Sequence, residues 1–100
     1  MIRESIAKLA EGQTLSREEA HATMLEIMSG EATPAQIASY ITALRIRGET
    51  PEIIAGSAAG MREKFTAVRA PTDVIVDTCG TGGDGAHTFN ISTCTAFVAA

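Results

Sequence analysis

The chain has 100 residues, 45% of them apolar, with four aromatic residues, no tryptophan and a net charge of −4. That length and alanine-rich composition suit one small domain of packed helices. Eight scattered basic residues in an acidic chain argue against a nucleic-acid grip, which needs clustered Lys and Arg, and no stretch reaches the roughly 18 apolar residues of a membrane span.

Ile2, Ile6 and Leu9 recur at helical spacing, predicting a helix over 2–11 stopped by Gly12. Ser16 lies three residues before Glu19, a capping-box pattern. The stripe Ala20, Met24, Ile27 and Met28 follows, and Gly30 ends it. Thr33-Pro34 reads as N-cap and first-turn proline, with Gln36 at the third helical position. Ile37, Tyr40, Ile41 and Leu44 are its predicted buried face. Arg45 and Arg47 suit its negative end, and Gly48 stops it. Thr50-Pro51 repeats the start signal, and Ile53, Ile54, Ser57, Ala58 and Met61 carry a fourth stripe to about Lys64. Residues 1–70 thus read as an all-helical domain whose short loops favour antiparallel neighbours. His21, between Ala20 and Ala22, reads as a surface or interface residue.

The character changes at Pro71. Val74-Ile75-Val76 is a short β-branched run, the signal of a buried strand. Then come Gly80-Thr81-Gly82-Gly83-Asp84-Gly85 and a polar stretch through Thr88, Asn90, Ser92 and Thr93. A final helix is predicted with Ser92 or Thr93 as its cap. The fold class expected is α/β overall: an N-terminal helical domain over 1–70, then the start (strand, glycine loop, helix) of an α/β domain over 71–100. One strand needs neighbours for its backbone groups, and the last helix stops on Phe97-Val98-Ala99-Ala100. A longer protein, truncated after Ala100 and inactive as these 100 residues alone, is therefore expected.

Strand, glycine loop and helix make an anion-binding geometry. Glycines let the backbone approach a ligand closely, and the helix start adds unpaired N–H donors and a partial positive charge. Thr81, Thr88, Asn90, Ser92 and Thr93 add neutral hydrogen-bonding groups. A phosphorylated ligand is the natural reading. Residues 80–85 formally match GxGxxG, but in a dinucleotide site the third glycine lies within the helix, and here Phe89 and polar residues intervene. A P-loop needs Gly-Lys before Ser or Thr, and that lysine is missing. From Ala70 to Ala100 there is neither Lys nor Arg. A multiply charged phosphate there calls for Mg²⁺ and for basic groups elsewhere. Carboxylates near phosphates commonly bind through Mg²⁺ and its waters. Asp84, inside the loop, is the better candidate for that, and Asp77 reads equally well as a turn former at the strand end. Cys79 lacks an identifiable base other than His87 and reads as a small buried filler, as does Cys94.

The run from Asp77 to Gly85, with Thr88-Phe89-Asn90-Ile91-Ser92-Thr93 and Ala96 to Ala100, closely resembles the signature of anthranilate phosphoribosyltransferases. Met28 to Ile37 and Ala43 to Thr50 fit the same family, so the resemblance covers nearly the whole chain. It implies transfer of the 5-phosphoribosyl group from phosphoribosyl diphosphate to the amino group of anthranilate, with release of diphosphate, in tryptophan biosynthesis. It implies that Gly80 lies where both substrates meet. It further implies that Gly83, Asp84, Thr88, Asn90, Ile91, Ser92 and Thr93 line the phosphoribosyl diphosphate site, with Ser92 contacting Mg²⁺. A homodimer formed through the helices is implied too. The family's basic substrate loop, its anthranilate-contacting arginine and its paired acidic Mg²⁺ ligands would all follow Ala100. No residue of this stretch is expected to act as a catalytic nucleophile.

Two other readings compete. A pyrimidine nucleoside phosphorylase shares a helical domain and glycine loop, and would use phosphate ion on a nucleoside. A non-catalytic helical dimerisation module would use residues 1–65 alone. The absence of a secretory pattern after Arg3 and Glu4, and cysteines outside any CxxC or zinc-like spacing, lead to an expected cytoplasmic protein with free thiols.

Overall fold

The computed structural model describes residues 1–80 and 85–100. These form five helices: α1 (Ile2–Ala10), α2 (Arg17–Met28), α3 (Pro34–Arg47), α4 (Pro51–Lys64) and α5 (Ile91–Ala99). They divide into two compact units, Met1–Ala67 and Val68–Ala100. Among the described residues no helix is long and apolar enough to cross a membrane.

In the first unit the start signals act as the sequence predicts. Ser16 Oγ accepts the Glu19 amide at 3.2 Å while Glu19 accepts the Ser16 amide at 2.7 Å. Thr33 and Gln36 form the same reciprocal pair at the head of α3. Each box satisfies two amides that a helix start leaves without partners. Gly48 closes α3 at a φ of +86°, a left-handed conformation that glycine adopts without steric cost.

Packing is dominated by α2 against α4, with α1 laid against α3 and α2. The core contains Ile2 and Leu9 of α1, Ala20 of α2, Tyr40 of α3 and Ile53 of α4. Leu15, in the α1–α2 connection, closes it. Two polar residues are also buried there. Thr23 donates to the Glu19 carbonyl at 2.8 Å. Its one proton being used, the 2.7 Å contact with Ser5 has Ser5 as donor. The α1–α2 crossing is thereby pinned by a satisfied polar link. Its edges are tied by Lys8 to Glu19 at 2.8 Å and by the Glu26 carboxylate, which accepts the Ile2 amide at 2.9 Å. Lys8, then the Ser16 amide, holds the Glu19 carboxyl below the usual range. Glu26 is lowered first by the Ile2 amide. Arg47, at the end of α3, donates to the Gly12 carbonyl.

The predicted buried faces of α2 to α4 need correction. Met28, Ile41, Ile54, Ala58 and Met61 are exposed. On α4 the buried residues are Ile53, Gly56 and Gly60. The reason is steric. A Cβ on Gly56 would overlap the Arg17 carbonyl oxygen of α2, and one on Gly60 would lie 3.0 Å from the His21 oxygen and from Met24 Cβ. The two backbones approach where no side chain stands, and a reading of apolar side chains passes over glycines.

The predicted strand at Val74–Val76 also needs correction. Among the described residues there is no strand, and Val74, Ile75 and Val76 are 79%, 75% and 71% exposed. The run has strand-forming residues but no neighbouring strand to bond it, and an isolated strand does not hold in water.

Two outcomes are expected. Gly56→Ala gains about 1 kcal/mol of helix propensity but forces α4 off α2, a backbone overlap that costs more, for a net loss of roughly 2 kcal/mol. Gly60→Ala meets the His21 carbonyl oxygen and Met24 Cβ at 3.0 Å, a tight contact rather than the overlap at Gly56. The helix propensity gained offsets much of that strain, and the variant stays within about 1 kcal/mol of the parent. Urea unfolding of both variants decides, and equal stabilities would refute the close-approach account. Tyr40 is 1% exposed, and among the described residues no group lies in hydrogen-bonding geometry to its hydroxyl, the Ser57 hydroxyl being the polar group nearby. Burial raises its pKa, with Ser57 opposing. A raised folded-state pKa favours the native state fully below the ordinary phenol value of about 10, and that contribution fades as pH climbs through the folded value. Tyr40→Phe should therefore leave stability equal or higher by up to about 1 kcal/mol and flatten the alkaline decline. A clear loss of stability at neutral pH would show that the hydroxyl is satisfied.

Candidate functional site

The second unit holds the chemistry-bearing stretch. Its chain enters through Thr72, whose hydroxyl accepts the Val74 amide at 3.2 Å. At Asp77 the backbone turns. Oδ1 of Asp77 accepts the Cys79 amide at 2.8 Å, the bond of an Asx turn. The next amide, that of Gly80, donates to Ser92 Oγ at 3.1 Å. The turn before the glycine loop and the first turn of α5 are thereby joined.

Helix α5 starts two or three residues earlier than the sequence predicts. Its cap is Asn90, whose Oδ1 accepts the Thr93 amide at 3.0 Å. Ser92 and Thr93, both predicted as caps, lie inside the first turn. The signal was present, because Asn ranks with Ser and Asp as an N-cap. The β-branched Ile91 and Thr93 obscured it. Freed from capping, the Ser92 hydroxyl reaches back to Gly80. With Thr93 and Cys94 bonded to Asn90, the Ile91 and Ser92 amides are those the helix start leaves without a partner among the described residues.

Of the predicted site residues, Gly80 and Ser92 are in contact, and Asn90, Ile91 and Thr93 share the start of α5 with Ser92. Thr88 is exposed in the approach to Asn90. Gly83 and Asp84 lie outside the described residues. Ser92 is half-buried, while Gly80, Asn90, Ile91 and Thr93 are exposed. An open hollow beside them is lined by Thr78, Cys79, Ser92, Thr93, Ala96 and Phe97. Cys79 and Cys94 are both free and exposed, so neither is the buried filler the sequence suggested. Among the described residues no cluster of His, Cys, Asp or Glu could hold a metal ion. A Cβ on Gly80 would meet Ser92 Oγ at 3.8 Å, an ordinary contact. The described chain therefore leaves room at Gly80 that a larger residue could fill.

In the first unit, His21 Nε2 lies 3.1 Å from Glu63 Oε2. The pair joins α2 to α4 at the surface, in keeping with a surface role for His21.

Comparison with known proteins follows the same division. Residues 3–65 match the model of the glycosyl transferase family, helical bundle domain, and residues 72–100 match that of the glycosyl transferase family, a/b domain. The chain is 60% identical over 100 residues to an anthranilate phosphoribosyltransferase of Anaeromyxobacter dehalogenans, all of this chain and 30% of that protein. It is 63% identical over 99 residues to one of Chloroflexus aggregans, 99% of this chain and 29% of the relative. It is 59% identical over 100 residues to one of Pelotomaculum thermopropionicum, all of this chain and 29% of the relative. The chain thus spans about 30% of the length of these curated relatives. With its helical bundle matched across α1 to α4, the chain belongs to the glycosyl transferase family whose relatives here carry the name anthranilate phosphoribosyltransferase.

Proposed function

We propose that the protein carrying this chain is an anthranilate phosphoribosyltransferase of tryptophan biosynthesis, moving the 5-phosphoribosyl group of phosphoribosyl diphosphate onto the amino group of anthranilate and releasing diphosphate. The observation that carries this reading is the tie between Gly80 and Ser92, set within a chain that aligns end to end with enzymes of that name. In this reading residues 72–100 begin the α/β domain. Gly80, Gly83, Asp84, Thr88, Asn90, Ile91, Ser92 and Thr93 bind phosphoribosyl diphosphate, and Gly80 also borders anthranilate.

The chemistry follows from what these groups can do. The ribose C1 gains positive character as the diphosphate departs. Donors fixed in advance around the departing oxygens favour that state without reorganising. The amides of Ile91 and Ser92, at the positive end of α5, are donors of this kind. Asn90, in capping Thr93, keeps them in place. Gly80 lets a ligand come close to the backbone.

Mg²⁺ suits this setting. It retains several waters and takes one or two protein oxygens beside phosphate oxygens. Ser92 Oγ, which accepts one amide and keeps a second lone pair, fits as such a ligand, and Asp84 of the glycine loop is the carboxylate proposed to act through the ion and its waters. When bound, the ion supplies charge neutralisation on the diphosphate.

A homodimer through the helical unit is supported by an apolar groove along α1 and α3 that includes Ile6, Ala38, Ala43 and Ile46, the last 77% exposed. The free cysteines support a cytoplasmic setting.

The test uses the product of the complete reading frame. Given anthranilate, phosphoribosyl diphosphate and Mg²⁺, it should consume anthranilate with equimolar release of diphosphate, and chelation of Mg²⁺ should stop it. Phosphorolysis of thymidine with inorganic phosphate, without anthranilate turnover, would overturn the reading in favour of a nucleoside phosphorylase.

A further inference from the structure

Two consecutive peptide units at the entry to the glycine loop are each held by a side chain. The amide of Cys79 is taken by Asp77 Oδ1 at 2.8 Å, and the amide of Gly80 by Ser92 Oγ at 3.1 Å. The first bond closes a turn two residues long, fixing the 78–79 peptide plane relative to Asp77. The second plane, 79–80, is separated from it only by the two torsions of Cys79. Once the first is set, only those two torsions remain to bring the Gly80 amide to Ser92 Oγ, so holding the Cys79 amide lowers the cost of ordering the Gly80 bond. Asp77 touches neither Gly80 nor Ser92 in the described hydrogen bonds, so its influence on the site passes through the backbone.

We infer that Asp77 is a positioning residue: by holding the Cys79 amide it aims the Gly80 amide at Ser92 and so sets the Ser92 hydroxyl for the phosphoribosyl ligand. This deepens the proposed function and rests on it. The role requires an acceptor oxygen at residue 77, not a negative charge. A second carboxylate for the cation would require the charge. Asparagine keeps an oxygen at the same place and can close the same turn, serine closes it more weakly, and alanine cannot.

The experiment uses the complete enzyme with Asp77→Asn, Asp77→Ser and Asp77→Ala, measuring KM for phosphoribosyl diphosphate, kcat and the Mg²⁺ dependence. Asp77→Ala should raise KM roughly three- to tenfold, in line with loss of one amide–carboxylate bond at an exposed position, with a smaller change in kcat. Asp77→Asn should recover most of that affinity, and Asp77→Ser should fall between. If Asp77→Ala is insoluble, the order of the other two decides alone. Asparagine as damaging as serine or alanine, or a loss concentrated in the Mg²⁺ dependence, overturns the inference, as does an alanine variant with unchanged KM. The parent enzyme is the control for the underlying reading: if it fails to transfer phosphoribosyl to anthranilate, the function is wrong. Amide exchange at Gly80 in the 100-residue chain, faster in Asp77→Ala than in Asp77→Asn, then still decides whether Asp77 aims that amide.

Discussion

The helical unit depends on one constraint: α2 and α4 approach so closely at Gly56 and Gly60 that their backbones nearly touch. Close approach brings many atoms of the two helices into dispersion contact. It also fixes where the remaining elements go. Ala20 fits the same seam because it is small, and Ile53 fills the space one turn before Gly56. The seam accommodates little else. A buried polar link from Ser5 through Thr23 to the Glu19 carbonyl then locates α1. Glu19 alone serves three ends, capping α2, pairing with Lys8 and accepting from Thr23 through its carbonyl.

Much of this was legible in the sequence, and the parts that were not have physical causes. Helix starts were readable because capping is local chemistry: Ser16 with Glu19, and Thr33 and Thr50 before proline, name their own positions. Burial was less readable. Ile54 and Met61 are as hydrophobic as Ile53, yet the glycines turn a different face inward. Ser5 and Thr23 are polar by type but buried because each satisfies the other. In the second unit the β-branched run Val74–Val76 carried a true preference without the partner that would express it. The contact between Gly80 and Ser92 spans twelve residues, and single-residue patterns do not encode such pairings.

The segment from Ala70 to Ala100 separates two tasks that binding sites often combine. It contains no Lys or Arg but has carboxylates at Asp73, Asp77 and Asp84. Under the proposed function it would offer a phosphorylated ligand direction rather than net attraction. Neutral donors fixed on a turn and a helix start select shape and orientation. Strength has to come from a counter-charge supplied from outside the segment, because one unit charge at contact distance outweighs several neutral dipoles wherever water is scarce.

The lone tyrosine, Tyr40, sits in the core of the first unit, and the chain has no tryptophan. Intrinsic ultraviolet emission from this chain therefore originates almost wholly in the helical bundle. Structural change confined to Val68–Ala100 would leave that emission silent while still altering circular dichroism through α5. The two signals separate, without any label, melting of the bundle from fraying of the segment that carries Gly80 and Ser92.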